Sequence, residues 1–146
     1  MRHRWGVLPA VLLAVMPAWA ALGDSVQSIQ AEQKRWGGQL TTRSAEGFTV
    51  HESKSESAAV RQFVSPSGVV FGVAWEGSTM PDLSQLLGPV YFARLRNALT
   101  ASRRRGPLYV QDGSFFVESG GHMRAFHGRA YDISLIPSAV SKDVIQ

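Results

Sequence analysis

Val60-Arg61-Gln62-Phe63-Val64, then Ser65-Pro66-Ser67, then Gly68-Val69-Val70-Phe71-Gly72-Val73-Ala74-Trp75 is the stretch on which the fold turns. Val60, Gln62 and Val64 alternate with Arg61 and Phe63, the two-residue period of a half-buried strand. From Gly68 to Trp75 the chain is apolar at odd and even positions alike, as expected of a strand covered on both faces. Between the two, Pro66 presets the first central dihedral of a type I turn and Gly68 can take the positive φ of the bulge after it. A tight hairpin follows, with its second strand central in a sheet.

Upstream, Phe48, Val50 and Glu52 alternate with Thr49 and His51 as another strand, and Ser53-Lys54-Ser55-Glu56-Ser57 forms a polar loop. Before that strand, Asp24 or Ser25 is expected to cap a helix reaching Arg35, with Val26, Ile29 and Gln33 on one side. Trp36-Gly37-Gly38 would stop it, glycine supplying the left-handed conformation. Downstream, Asp82 precedes Gln85 at capping-box spacing, and Leu83, Leu86, Leu87, Tyr91, Leu95 and Leu99 recur as one helical apolar stripe. Pro89 lacks an N–H and clashes with the preceding turn, so the segment kinks or restarts there.

Strand signals return over 108–111, 115–119 and 122–131, with Gly120-Gly121 as the turn between the last two. The tail from Ile133 to Gln146 is expected over the core as loop or short strand. The pattern is α+β: a single antiparallel sheet of about five strands with helical cover, in the order α-β-β-β-α-β-β.

The N-terminal residues carry an address. Met1-Arg2-His3-Arg4 is a basic head, Trp5 to Met16 an uncharged middle, and Pro17-Ala18-Trp19-Ala20 a small-residue end, the order of a secretory signal peptide. Cleavage between Ala20 and Ala21 would remove residues 1–20 and leave 21–146 as one α+β domain in the periplasm or the medium. An uncleaved anchor is the rival, since Trp5 to Leu22 lacks charge, but Pro9 and Pro17 interrupt it and no basic cluster follows. After cleavage no transmembrane segment is expected. Arg2 and Arg4 are not adjacent, so a twin-arginine route is not indicated.

Fifteen Lys and Arg against eleven Asp and Glu give the 146-residue chain a formal +4. Losing Arg2 and Arg4 leaves thirteen basic residues against eleven acidic, a formal +2, which weakens any nucleic-acid role. Arg103-Arg104-Arg105 is too short for a nucleic-acid stripe and reads as the basic end of a helix. With no cysteine, the chain has no disulfide, no thiolate nucleophile and no lipid anchor.

Catalytic patterns are sparse. His51, His122 and His127 remain after the signal, but the odd separation of 122 and 127 puts them on opposite faces of a strand unless Gly128 makes a bulge. His51 and Glu52 are opposed in the same way. There is no Gly-x-Ser-x-Gly elbow and no Ser-x-x-Lys, and Ser65, Ser67 and Ser119 sit where turns want serine. No metal, cofactor or catalytic set is assigned. Of Phe115 and Phe116, adjacent on a strand, one would face outward as a candidate contact.

Thr49-Val50-His51-Glu52, the run from Val60 to Phe71, Pro81-Asp82-Leu83 through Leu87-Gly88, and Ser119-Gly120-Gly121-His122-Met123-Arg124-Ala125-Phe126 together resemble the bacterial domain of unknown function 2844 family. The resemblance starts at Ala21-Leu22-Gly23 and implies a small exported protein with no established activity and no known cofactor. The distinctive polar residues are His51, Glu52, Arg61, Ser65, His122 and Arg124, candidate binding residues of which some should share a sheet face. Arg124 beside Glu52 or Glu118 would be a structural ion pair. The leading expectation is a non-enzymatic binding or accessory domain that holds an envelope protein or ligand. The alternative is a small hydrolase or metal-dependent enzyme using His51 or His122 with Glu52 or Asp112.

Overall fold

The computed structural model describes residues 21–25, 39–102 and 106–146. Seven strands, β1 (Gln39–Ala45), β2 (Phe48–Lys54), β3 (Ala58–Val64), β4 (Val70–Gly77), β5 (Leu108–Asp112), β6 (Phe115–His122) and β7 (Ala125–Asp132), and one helix, α1 (Leu83–Ala101), are its main elements. The strands form one antiparallel sheet in the order β1-β2-β3-β4-β7-β6-β5. The class stays broadly α+β, but the expected α-β-β-β-α-β-β order of about five strands is corrected.

Two causes account for the difference. β1 reads Gln-Leu-Thr-Thr-Arg-Ser-Ala and is exposed almost throughout, so it has no apolar alternation to announce it. Backbone pairing to β2 holds it, across a turn at Glu46-Gly47 where Gly47 takes φ 82°. After α1 all three expected strand segments form, where the expected element order closed on two. The expected leader (1–20), the expected helix from residue 26 onward with its Trp36-Gly37-Gly38 stop, and Arg103-Arg104-Arg105 lie outside the described residues.

β4 is the central strand. Val73 and Trp75 face α1, while Phe71, Gly72 and Ala74 face the opposite side, each set in its own apolar cluster or against that cluster's Ile145. The expected hairpin is present: Gly68 N–H donates to Ser65 O at 2.9 Å, Ser65 N–H to Val69 O at 2.9 Å, and Gly68 takes φ 83°. The β3–β4 register shifts between Phe63 and Val64, a bulge that lets Phe71 and Gly72 share a face.

Asp82 caps α1, its carboxylate accepting from the Ser84 N–H at 2.9 Å. Gly88, at φ 73° and ψ 171°, breaks the helix, and the second segment begins at Pro89. The missing N–H of proline costs nothing at a first helical position. The break rotates the stripe: Leu86, Leu87 and Leu95 are buried under the sheet, whereas Leu99 is 43 % exposed. Full burial of a leucine such as Leu87 contributes about 1.5–3 kcal/mol.

The other face is covered by the tail, through short 3-10 turns at Ile133–Leu135 and Lys142–Val144. Leu135, Ile136, Val140, Val144 and Ile145 pack on Phe48, Val50, Phe63, Phe71, Phe116 and Tyr131. Phe115 and Phe116 do point to opposite faces, but both are covered, Phe116 stacking on Tyr131 at 5.3 Å.

Candidate functional site

Pairing register puts Glu52, Arg61, Ala74, Arg129 and Glu118 in one row across β2, β3, β4, β7 and β6 on the tail-covered face. The row is a palindrome about Ala74. Arg61 Nε pairs with Glu52 at 3.2 Å and Arg129 Nε with Glu118 at 3.0 Å. Each arginine spends another N–H on the tail, Arg61 on Gln146 O and Arg129 on Ile145 O at 3.3 Å. The planar guanidinium fork makes such double use possible. Arg61 and Glu52, two of the candidate residues, are thus brought together as parts of a clamp.

The remaining candidates lie apart. His51 faces the α1 side of β2, opposite in direction to Glu52, with Nδ1 3.2 Å from Thr42 Oγ1. Burial holds its pKa below the ordinary value, favouring the neutral ring. Ser65 Oγ shapes the β3–β4 turn, contacting Ser67 Oγ at 2.8 Å and accepting from Val69 N–H at 3.2 Å. His122 ends β6, four strand spacings and so roughly 19 Å from β2. Asp112 pairs with Arg94 at 2.7 Å. His51 and His122 are not brought together.

Arg124 holds the β6–β7 turn, which lies at Met123-Arg124 and not at Gly120-Gly121, the closing pair being His122 and Ala125. Arg124 takes φ 65°, and Glu118 pairs with Arg129 instead of with it. The displaced turn leaves Gly120 inside β6, opposite His127. His127 shares the tail-side face with Glu76, its partner on β4.

At Gly120 the face opens. An open groove of about 640 Å³ is lined by Arg61, Glu76, Tyr109, Glu118, His127 and Arg129 among others, with Gly120 and Gly128 along it and the Ile145–Gln146 end of the tail at one side. A Cβ on Gly120 would stand 3.4 Å from His127 Nε2, so the space exists because this position has no side chain. Tyr109 is 54 % exposed. The exposed surface of the groove is mainly apolar, with Trp75, Pro107, Leu108 and Ile145 in its lining, and acid, base, imidazole and phenol groups stand among them, a combination suited to a ligand with an apolar face and polar edges.

Sequence reasoning missed Glu118, His127, Arg129 and Gly120 as neighbours. The signal was present in the alternation His127, Arg129, Tyr131, but the glycine pair set the wrong register. Among the described residues there is no group of three or more His, Cys, Asp or Glu placed to hold a metal ion, and no helix long and apolar enough to cross a membrane.

A family model described as "Protein of unknown function (DUF2844)" matches residues 18–145. No curated protein and no solved structure matches the chain.

Proposed function

The chain belongs to the DUF2844 family of proteins of unknown function, and we propose that it is an exported, non-enzymatic binding or accessory domain of the bacterial envelope, holding an envelope ligand with an apolar face and polar edges in the Gly120–His127 groove. Export is supported by the basic, apolar and small-residue order of residues 1–20. Binding is supported chiefly by the groove itself, about 640 Å³ in volume and within the usual size of ligand sites. Arg61 and Arg129, already paired with carboxylates, give its walls a fixed shape. His127 and Tyr109 supply groups that orient a ligand, beside Glu76, which is itself ion-paired to Arg61.

Gly120→Val is the discriminating variant, because Gly120 needs no left-handed conformation and the added side chain would stand against the His127 ring on the groove's floor. Isotope-labelled protein is titrated with soluble cell-wall glycopeptides and, separately, with envelope oligosaccharides. Shifts of the Gly120, His127 and Arg129 amides that saturate with one of these and vanish in Gly120→Val support the proposal. Silence toward both, or shifts that survive the substitution, defeats it.

A further inference from the structure

Ala21 and Leu22 are each only 3 % exposed, although they stand at the expected cleavage point. Four consecutive backbone nitrogens are engaged. Ala21 N donates to Asp24 Oδ2 at 3.2 Å, Leu22 N to Leu86 O at 3.3 Å, Gly23 N to Val70 O at 2.8 Å and Asp24 N to Ala21 O at 2.9 Å. Val70 N returns a bond to Asp24 O at 3.0 Å, and Ser25 bridges Val69. Gly23 turns the segment at φ 86° against Tyr91, and a Cβ on Gly88 would meet the Ala21 Cβ at 2.6 Å. The missing side chain at Gly88 therefore makes room for Ala21.

We infer that processing after Ala20 creates a structural ion pair, the new α-ammonium of Ala21 with the Asp24 carboxylate, so that the mature N-terminus is locked into the fold by the cut that produces it. The inference rests on the export proposed above and is independent of the groove. Hydrolysis adds water across the Ala20–Ala21 peptide bond, and the proton of the new Ala20 carboxylic acid passes to the Ala21 amine. Before the cut, the nitrogen beside Asp24 is a neutral amide; afterwards it is a cation at the same place. The carboxylate acceptor makes the bond charge-assisted in both forms, and the cut adds the Coulombic attraction of a full positive charge on the donor. Leu22, Gly23 and Asp24 hold that nitrogen through their bonds to α1, β4 and Ala21, so its position does not depend on residue 20.

Among the described residues the groups facing the pair are few. Asp24 belongs to the segment itself, and α1 contributes the Tyr91 hydroxyl beside Gly23, bonded to Asp132 and near Arg94. β4 contributes Val70, which does not titrate. The Tyr91 pKa is pushed up to about 12, first by burial and then by the Asp132 bond, so the phenol stays neutral while the amine titrates. A free α-amine ordinarily titrates at about 7.7–8.0; the adjacent Asp24 carboxylate raises that value against the burial of Ala21, which lowers it, and the ion pair requires the carboxylate to win. The raised folded-state value means the added stability is present below about pH 8 and is lost as pH rises through the folded pKa.

The full precursor is expressed with its leader, and the exported product is sequenced from its N-terminus. That product and a form with one extra glycine ahead of Ala21 are each compared with their Asp24→Asn variants by thermal unfolding at pH 7 and pH 10, and the α-amine is titrated by NMR. Expected are an N-terminus at Ala21, an α-amine pKa above the ordinary range, and a drop on Asp24→Asn larger by on the order of a few degrees in the Ala21-starting form at pH 7 only. Equal drops in both forms, or an ordinary α-amine pKa in the unsubstituted protein, overturn the ion pair while leaving export intact. An N-terminus at Met1 overturns both.

Discussion

Ile145 occupies the space that a side chain on Gly72 would take: a Cβ there would lie 2.7 Å from Ile145 Cδ1. Ile145 is fully buried at the far end of the chain, so the tail is part of the core and not an appendage. Ile145→Ala is expected to destabilise the protein by about 2–5 kcal/mol through lost burial and a residual cavity. Gly72→Ala is expected to cost about 1–3 kcal/mol by overpacking. Because the two contend for one space, the double variant should be more stable than the sum of the single effects implies. Urea unfolding midpoints at constant m-value check this, and strict additivity would show that the tail does not press on Gly72.

Tyr91 and Asp132 tie α1 to the end of β7, the phenol donating to Asp132 Oδ2 at 2.7 Å. Burial raises the Asp132 pKa, but bonds from Ser134, Tyr91 and Ser114 outweigh it and leave the net value lowered. That contribution is therefore present above about pH 4 and lost as pH falls through the depressed folded value. For Tyr91 the sign is reversed: raised to about 12 from 10.0, it contributes below pH 10 and its share is lost between 10 and 12. Tyr91→Phe should cost on the order of 1–2 kcal/mol at pH 7 and remove the part of the alkaline loss due to this phenol. Stability measured from pH 2 to 12 tests both limbs; an unchanged alkaline limb in Tyr91→Phe would exclude this tyrosine as its source.

Trp75 lies flat against the position where Gly128 has no side chain, and a Cβ there would sit 2.4 Å from Trp75 Cζ2 and 2.7 Å from Glu118 O. One of these neighbours is backbone, so the site cannot relax by a rotamer change alone. Gly128→Ala is expected to destabilise by about 1–3 kcal/mol or more. Trp75 Nε1 is also buried without a hydrogen-bond partner among the described residues, a penalty that Trp75→Phe removes while it opens a small cavity. Trp75→Phe should therefore cost less than Trp75→Leu and should soften the effect of Gly128→Ala. A double-mutant cycle in denaturant measures that coupling, and a value near zero would mean the ring and the glycine are independent.

What the sequence disclosed follows from which residues carry a periodic signal. Val60–Val64 and Gly68–Trp75 show their faces in their own alternation, and Pro66 and Gly68 mark the turn between them, so the central hairpin was legible. β1 was not, because a polar edge strand is held by backbone bonds that leave no trace in side-chain type. At the β6–β7 turn the glycines misled. Gly120 and Gly121 lie inside a strand, while Arg124 adopts the left-handed conformation that glycine usually supplies. A turn at Gly120-Gly121 would set Glu118 opposite Met123, whereas the real turn sets it opposite Arg129. That displacement hid both the second arm of the arginine palindrome and the groove beside it.

The palindrome itself predicts how the tail is held. Arg61 and Arg129 flank Ala74 and each joins a carboxylate to a tail carbonyl, so their side chains are braced before the tail arrives. Replacing either by alanine removes one bond to the tail, on the order of 1 kcal/mol at a partly exposed site. The Ile145 N–H, which donates to Lys142 O at 3.2 Å, should then exchange with solvent up to about tenfold faster, the factor equivalent to 1.4 kcal/mol. Arg61→Lys should not restore protection, since an ammonium cannot hold Glu52 and the Gln146 carbonyl in one planar fork. Amides of β4 such as Val73 should keep their native exchange, because the clamp acts on the tail alone. Equal acceleration at Ile145 and Val73 would mean that the arginines support the whole sheet, and no acceleration at Ile145 would leave Gly72 and the apolar contacts as the tail's anchors.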